Sequence, residues 1–150
     1  DTIAAPSFTW TSDLDTGMWH AGTDQIGFTT AGVNRMTISS TGISVVGAIE
    51  ASGNITSTSD ARLKENVVTI DSALNKVEQM RGVYFNKIDD ETKTRNVGVI
   101  AQEMEEVLPE AVHTRENGIK SVAYGNIVGV LIEAIKELKQ EIETLKGSLR

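Results

Sequence analysis

Few residue types in this chain could do chemistry, and their spacing restricts that chemistry further. The 150 residues contain no cysteine and only two histidines, His20 and His113, which lie far apart in the sequence. Disulfides, cysteine zinc sites and thiol nucleophiles are therefore excluded. Nothing in the sequence pairs either histidine with a serine. A hydroxyl nucleophile would need another base, and a lysine can serve when burial or a nearby cation lowers its pKa.

Three further groups of polar or aromatic side chains have ordinary explanations that we prefer to a binding site. A solvated helix face is favoured over a metal site for Glu103, Glu105, Glu106 and Glu110. Turns are favoured over a cation site for Asp13, Asp15 and Asp24. Packing between chains is favoured over contact with a glycan for Trp10, Trp19 and His20, although a surface glycan stays open as a partner. We expect no cofactor and no metal.

The composition narrows the class of protein. A net charge of −7 disfavours binding to nucleic acid, which requires a basic face. No apolar run is long enough to cross a membrane, and the first residues lack the features of a signal peptide. Because the chain begins with Asp1 rather than Met, we interpret it as a piece of a longer protein. Aromatic residues make up only 5%, so we expect burial to be completed by oligomerisation.

Residues 1–58 are predicted to be all-β. Glycines at 27, 32, 42, 47 and 53 indicate turns, and apolar runs predict strands at 26–28, 33–38, 43–46 and 48–49. One copy of these strands has little to pack against. We therefore expect three chains to intertwine and to bury their valine and isoleucine side chains between them. A small β-sandwich fragment is the alternative.

Residues 60–125 predict a mixture of helices and strands. Asp71 is expected to cap a helix that runs to about Met80 and stops at Gly82. Strands are predicted at 83–88, 97–100 and 119–124, with a polar turn over 89–96. Apolar residues at 100, 104, 107 and 108 follow helical spacing, and Pro109 ends that helix.

The end of the chain, about residues 127–149, predicts a coiled-coil helix. Its apolar residues alternate spacings of three and four, as the a and d positions of heptads do. These residues, called the seam below, are Val128, Leu131, Ile135, Leu138, Ile142, Leu145 and Leu149. Isoleucine at a with leucine at d favours dimers in parallel coils, so a trimer does not follow from the heptads. A helix packed on its own domain is the alternative, for which Ile132 leaves room.

Three segments together resemble the phage chaperone family known as peptidase S74, which is found in tail fibres, tailspikes and endosialidases. They are 59–66 (SDARLKEN), 98–110 (GVIAQEMEEVLPE) and 122–124 (VAY) with 131–138 (LIEAIKEL), in matching order across residues 59–150. Residues 13–35 are more loosely similar to segments near the ends of tail fibres. Where the family usually has an acidic residue before the tyrosine, this chain has Ala123.

The resemblance implies a homotrimer that templates fibre folding and then cuts itself off between Thr58 and Ser59. It implies Ser59 and Lys64 as the catalytic pair, and we consider Asp60 and Arg62 as candidates for orienting them. A spacing of five puts Ser59 and Lys64 on different faces of a regular helix. Their segment should therefore be a turn or loop if they meet in one chain. Apart from the resemblance, the same residues would be an ordinary turn and surface.

The overall prediction is an α+β homotrimer in two parts: an intertwined all-β fibre segment over 1–58 and a small α+β chaperone domain over 59–150 with the coiled-coil helix. Its activity would be that of a single-turnover serine autoprotease, and its partners would be its own copies and the upstream fibre. The resemblance implies a place in the virion tail fibre, with the chaperone acting in the infected host cytoplasm before release. The alternative is a trimeric receptor-binding fibre tip whose terminal module never cuts.

Overall fold

The computed structural model of the chain describes residues 1–115 and 117–149, and these form two compact units. The first unit is Asp1–Ser59, and the second begins at Asp60. Glu116 and Arg150, which the predicted terminal domain includes, lie outside the described residues. None of the helices in the described part of the chain is long and apolar enough to span a membrane.

The first unit is a five-stranded antiparallel sheet in which each strand pairs with the next one along the chain. Its strands are β1 (Phe8–Trp10), β2 (Asp13–Gly22), β3 (Gln25–Thr30), β4 (Val33–Ser39) and β5 (Gly42–Val45). The two-residue turn between β3 and β4 has positive φ at both Ala31 (51°) and Gly32 (66°). This conformation suits the twist of a tight hairpin, and glycine adopts it without strain. The turn predicted at Gly32 is therefore confirmed.

Gly27 lies inside β3 and not in a turn, so that part of the prediction is wrong. Gly27 pairs with Trp19 of β2, and a Cβ atom at residue 27 would lie 2.2 Å from the Trp19 indole nitrogen. The glycine is required by the close approach of this ring, as glycines inside strands often are. The strand predicted at 48–49 is also absent, and β1 and β2 were not predicted.

One face of this sheet is apolar, and much of it is exposed. Residues directly opposite each other on neighbouring strands lie on the same face. An apolar row therefore crosses all five strands through Phe8, Met18, Phe28, Met36 and Val45. A second row on that face contains Ile26, Ile38 and Ile43, all of them exposed. These eight residues are called the apolar face below. The sheet forms within one chain, and its intertwining with other copies stays a prediction.

The second unit is α+β, as predicted. Its helices are α1 (Ala73–Gln79), α2 (Ala101–Val107) and α3 (Tyr124–Ser148). Its strands form two separate antiparallel hairpins, β6 (Val83–Asn86) with β7 (Arg95–Gly98), and β8 (Val112–Thr114) with β9 (Lys120–Val122). Short 3-10 turns occupy Ala61–Leu63 and Pro109–Ala111.

Most predicted elements of the second unit are present, with shifted ends. The α2 helix ends before Pro109 as expected, because a proline cannot continue the backbone hydrogen bonding of a helix. The strands β6 and β9 are shorter than predicted, β7 begins two residues before the predicted strand at 97–100, and β8 was not predicted. The α3 helix begins at Tyr124, three residues before the predicted start. The α1 helix begins at Ala73 and not at Asp71, and Asp71 does not cap it.

The core of the second unit lies where α3 packs on α1. Ala73 of α1 and Val130 and Ala134 of α3 are buried together. Partly buried side chains surround them, namely Ile70, Leu74, Val77, Met80 and Leu108. Small residues at 73 and 134 let the two helices approach closely, so α3 is held along one face by its own domain.

Met104 is the largest fully buried side chain among the described residues, with 1% of its surface exposed. We expect Met104→Ala to destabilise the chain by about 2–5 kcal/mol, because the lost burial and the remaining cavity both cost free energy. Chemical denaturation of the full chain measures this change. Glu106→Ala, at an exposed position of the same helix, is the control and should change stability by less than about 0.5 kcal/mol. An equal effect of both variants would contradict this assignment of the core.

Candidate functional site

The predicted cleavage point lies at the junction of the two units. Thr58 and Ser59 are exposed at the end of the first unit, in chain without regular secondary structure. The second unit opens with the 3-10 turn Ala61–Leu63, closed by hydrogen bonds from Leu63 N to Asp60 O (3.1 Å) and from Lys64 N to Ala61 O (3.2 Å). This segment is thus a turn, as the sequence requires if Ser59 and Lys64 meet within one chain. The catalytic pairing of Ser59 with Lys64 stays a prediction.

Asp60 and Arg62, the two candidates for orienting groups, are paired with each other. The Arg62 guanidinium donates to both carboxylate oxygens of Asp60, at 3.0 and 2.7 Å, and the Arg62 backbone nitrogen donates to the same carboxylate at 2.9 Å. These bonds lower the pKa of Asp60 and raise that of Arg62. Asp60 thus caps the turn. The role of either residue towards Ser59 and Lys64 stays a prediction.

Residues 64–72, called the arm below, connect this turn to α1 without regular secondary structure. Val67 and Val68 in the middle of the arm are 77% and 83% exposed. Ile70 packs against the α1–α3 core, and its Cδ1 atom lies 3.4 Å from where a Cβ atom at Gly129 of α3 would be. The end of the arm is therefore attached to the face of α3 that packs in its own domain.

The beginning of α1 is capped by a side chain from α3. Ser72, the residue before the helix, has a left-handed backbone (φ 50°, ψ 36°) and makes no capping hydrogen bond with its side chain. The Glu137 carboxylate accepts the backbone N–H of Ala73 (2.9 Å) and of Leu74 (2.8 Å). These two bonds lower the pKa of Glu137. Glu137 was not predicted, since it lies 64 residues beyond Ala73 and nothing local marks it.

The seven seam residues are all exposed in the single chain. Ile135 and Leu138, at the centre of the seam, are 67% and 44% exposed. The face of α3 that packs on α1 is a different one and carries Val130, Ala134 and Glu137. The domain does not cover its own seam, although a helix packed on its own domain was the alternative. The coiled coil itself stays a prediction.

Ala123, where the sequence departs from the family pattern, is held in place by a backbone hydrogen bond. Ala123 N donates to Ala111 O at 2.8 Å. The hydroxyl of the next residue, Tyr124, accepts the Val99 backbone N–H at 3.3 Å, and a Cβ atom at Gly98 would come within 2.5 Å of that oxygen. This arrangement joins α3 to β7 without any contribution from the residue-123 side chain.

The remaining candidate groups are dispersed or ion-paired. Glu103 pairs with Arg81 at the surface, and Glu105 pairs with the partly buried Lys120. Within the described residues, no three acidic or histidine side chains gather where they could hold a metal ion. Trp19 and His20 are consecutive in β2 and so lie on opposite faces of the sheet. Glycan binding stays a prediction.

Comparison with known proteins gives a family match at the beginning of the second unit. Residues 59–113 match the Peptidase S74 family, described as the chaperone of endosialidase. The match begins at Ser59 and includes the first two predicted segments, whereas the third, beyond residue 121, lies outside it.

Curated relatives are phage long tail fibre proteins. The chain is 37% identical over 103 residues to the long tail fiber protein Gp37 of Enterobacteria phage K3 and, equally, to that of phage T2, which covers 64% of this chain and 8% of each fibre protein. Gp37 of phage M1 is 35% identical over 99 residues, 61% of this chain and 39% of that protein. The chain thus spans well under half the length of these relatives.

One solved structure is distantly similar. It is the carboxy-terminal domain of the bacteriophage T5 L-shaped tail fiber with its intra-molecular chaperone domain, with 13% identity and a TM-score of 0.48 over 82% of this chain and 45% of that one. This likeness is too distant to support an inference. The family match over residues 59–113 begins at Ser59 and includes two of the three segments that first indicated it: this part of the chain is similar to the Peptidase S74 family, the chaperone of endosialidase.

Proposed function

We propose that this chain is the C-terminal part of a phage tail fibre and that residues 59–150 act as its intramolecular chaperone. The domain assembles as a homotrimer, holds three fibre segments in register while they fold, and then releases itself by cleavage between Thr58 and Ser59. The family match from Ser59 and the tail fibre relatives support this function. The fibre part belongs to the virion, and the chaperone acts in the infected host cell before release.

The exposed seam on α3 is the observation that carries the assembly step. A helix that already packs one face in its own domain still presents seven apolar residues to solvent at heptad spacing. Burying such a stripe between helices is the main driving force of coiled coils. The apolar face of the first unit supplies a second apolar surface that copies could bury. The number three comes from the family, since the heptads alone favour a dimer.

Templating has a physical basis in the order of these events. Three fibre segments must come into register before burial compensates for the entropy lost in ordering them. A trimer held by its terminal domains raises the local concentration of the segments attached to it. Once that domain has been removed, an unfolded fibre cannot refold by the same route. The mature fibre therefore persists because it unfolds slowly.

The cleavage step uses Ser59 as nucleophile and Lys64 as base. Neutral Lys64 accepts the hydroxyl proton as Ser59 Oγ attacks the Thr58 carbonyl carbon of its own chain or of a neighbouring copy. The carbon–nitrogen bond between Thr58 and Ser59 then breaks, and the leaving nitrogen takes the proton back. Water hydrolyses the resulting ester, which leaves a carboxylate on Thr58 and restores the serine. Both residues are exposed in the single chain, so assembly would supply the exclusion of water that favours a neutral lysine.

Mass spectrometry of the purified chain tests both steps. Native spectra should give about three times the 16.2 kDa of one chain. Denaturing spectra should give one piece ending at Thr58 and one beginning at Ser59. A stable monomer at micromolar concentration contradicts the assembly step. An intact trimer that never yields these pieces contradicts self-cleavage and favours the fibre tip that stays attached.

A further inference from the structure

The arm reaches α1 through a bend that its own residues do not stabilise. Ser72 adopts a left-handed backbone, which costs free energy for any residue except glycine. Its side chain makes no capping bond, so the first N–H groups of α1 need an acceptor from elsewhere. The first turn of α1 therefore takes its hydrogen-bond acceptor from outside the arm and α1.

Glu137 is that acceptor, and its position on α3 links two functions. Both of its carboxylate oxygens are engaged, one with Ala73 N and the other with Leu74 N. Glu137 is also the neighbour of Leu138 in the seam, and it lies on the packed face with Ala134. The position of α3 is thus tied by two hydrogen bonds to the first turn of α1, next to the bend at Ser72.

We propose that Glu137 is a positioning residue that couples the assembly helix to the cleavage point. Glu137 fixes the bend where the arm meets α1. The bend in turn sets the direction in which the arm runs back to Lys64 and to the turn that follows Ser59. Lys76 supports the same junction by donating to the Asp71 carbonyl oxygen at 2.5 Å. This inference rests on the proposed function, because it assigns Glu137 a part in self-cleavage.

The carboxylate charge gives this contact a pH signature. The pKa of Glu137 in the folded chain lies below its usual 4.5, chiefly through the Leu74 and Ala73 amides. Lys76 of α1 lowers it further, while burial and Asp71 of the arm raise it. Since the folded pKa is the lower one, the stabilisation is complete above about pH 4.5 and is lost as the pH falls through the folded value.

The experiment compares Glu137→Gln with Glu78→Gln in the full chain. Glu78 is exposed on α1, the helix that Glu137 caps. Glu78→Gln therefore removes one negative charge near the same helix, as Glu137→Gln does, but without removing a cap. We expect Glu137→Gln to remain trimeric, because residue 137 is outside the seam, but to cleave about 10- to 100-fold more slowly through misplacement of the reacting groups. Glu78→Gln should assemble and cleave as the wild type does.

Stability is measured in chains that all carry Ser59→Ala as well, so that no sample is cut during the measurement. Glu137→Gln should lower the Tm by about 5 °C at pH 7, as the loss of a helix cap does, and this gap should narrow as the pH falls below 4.5. The Tm of Glu78→Gln should stay near that of its parent over the same range.

Each other result overturns the inference. Wild-type cleavage by Glu137→Gln removes its role in positioning while leaving the proposed function intact. Loss of the trimer would make Glu137 an assembly residue, and a Tm gap that does not change with pH would remove the carboxylate as the cause. If the wild type itself does not cut, the cleavage step of the proposed function fails first, and the positioning role fails with it.

Discussion

Ser59→Ala is expected to leave the 150-residue chain whole while it still assembles, because the substitution removes the attacking oxygen from an exposed side chain. Ser59 is exposed at the end of the first unit, so its side chain leaves no cavity in a core. Denaturing mass spectrometry measures the fraction cut, and native mass spectrometry measures assembly in the same sample. Ser57→Ala, two residues upstream in the same exposed stretch, is the matched control and should cut as the wild type does.

Two substitutions of Lys64 then separate proton transfer from charge. Lys64→Ala removes the base and should abolish or strongly slow the cut. Lys64→Arg keeps the positive charge, yet it should fail as well, because a guanidinium stays protonated and cannot accept the serine proton. Lys87→Arg, in an exposed turn, should have no effect. A fragment that begins at residue 59 in Ser59→Ala would refute the serine mechanism. Normal cutting by Lys64→Arg would show that residue 64 contributes only its positive charge and is not the base.

Ile135→Asp and Leu138→Asp are expected to give folded chains that do not assemble. Both side chains are exposed in the single chain, so an aspartate there costs its own domain little. In a coiled coil the same aspartate would be buried without a partner, at a cost of at least about 3 kcal/mol per chain. Native mass spectrometry and circular dichroism together distinguish a folded monomer from an unfolded chain.

The two faces of α3 provide the controls. Gln140→Asp places the same charge at an exposed position outside the seam and should leave assembly unchanged. Ala134→Asp places it in the buried contact with α1 and should unfold the second unit. Trimers formed by Ile135→Asp or Leu138→Asp at wild-type concentrations would show that the seam is not the interface.

Elements encoded by local patterns could be predicted from the sequence. The apolar spacing of α2 and its stop at Pro109 depend on residues within a few turns of each other, and both are present. The heptads of α3 are equally local, and the helix contains all of them except Leu149, which directly follows its end. The serine and lysine motif could be recognised from the sequence because it lies in one short segment, and so could its similarity to the family.

Other features depend on residues that are distant in sequence. The strand β1 has only three residues, and β2 contains Asp13, Asp15 and Gly17 between its apolar residues. Both strands are defined by pairing, β1 with β2 and β2 with β3. From the sequence alone, Gly27 is interpreted as a turn residue. Only the fold shows that it makes room for the ring of Trp19. The left-handed Ser72 and the start of α1 depend on the Glu137 carboxylate, which reaches the helix only after α3 has packed.

The sequence by itself therefore determined the resemblance to the family, most elements of the terminal domain and the stripe of α3 that could assemble, because each is set by neighbours along the chain. Only the tertiary structure decided which face of α3 its own domain would take. Burial of Val130 and Ala134 against Ala73 uses that face and leaves the seam exposed. The physical reason is that both faces of α3 carry apolar residues at helical spacing, and only packing against α1 distinguishes between them.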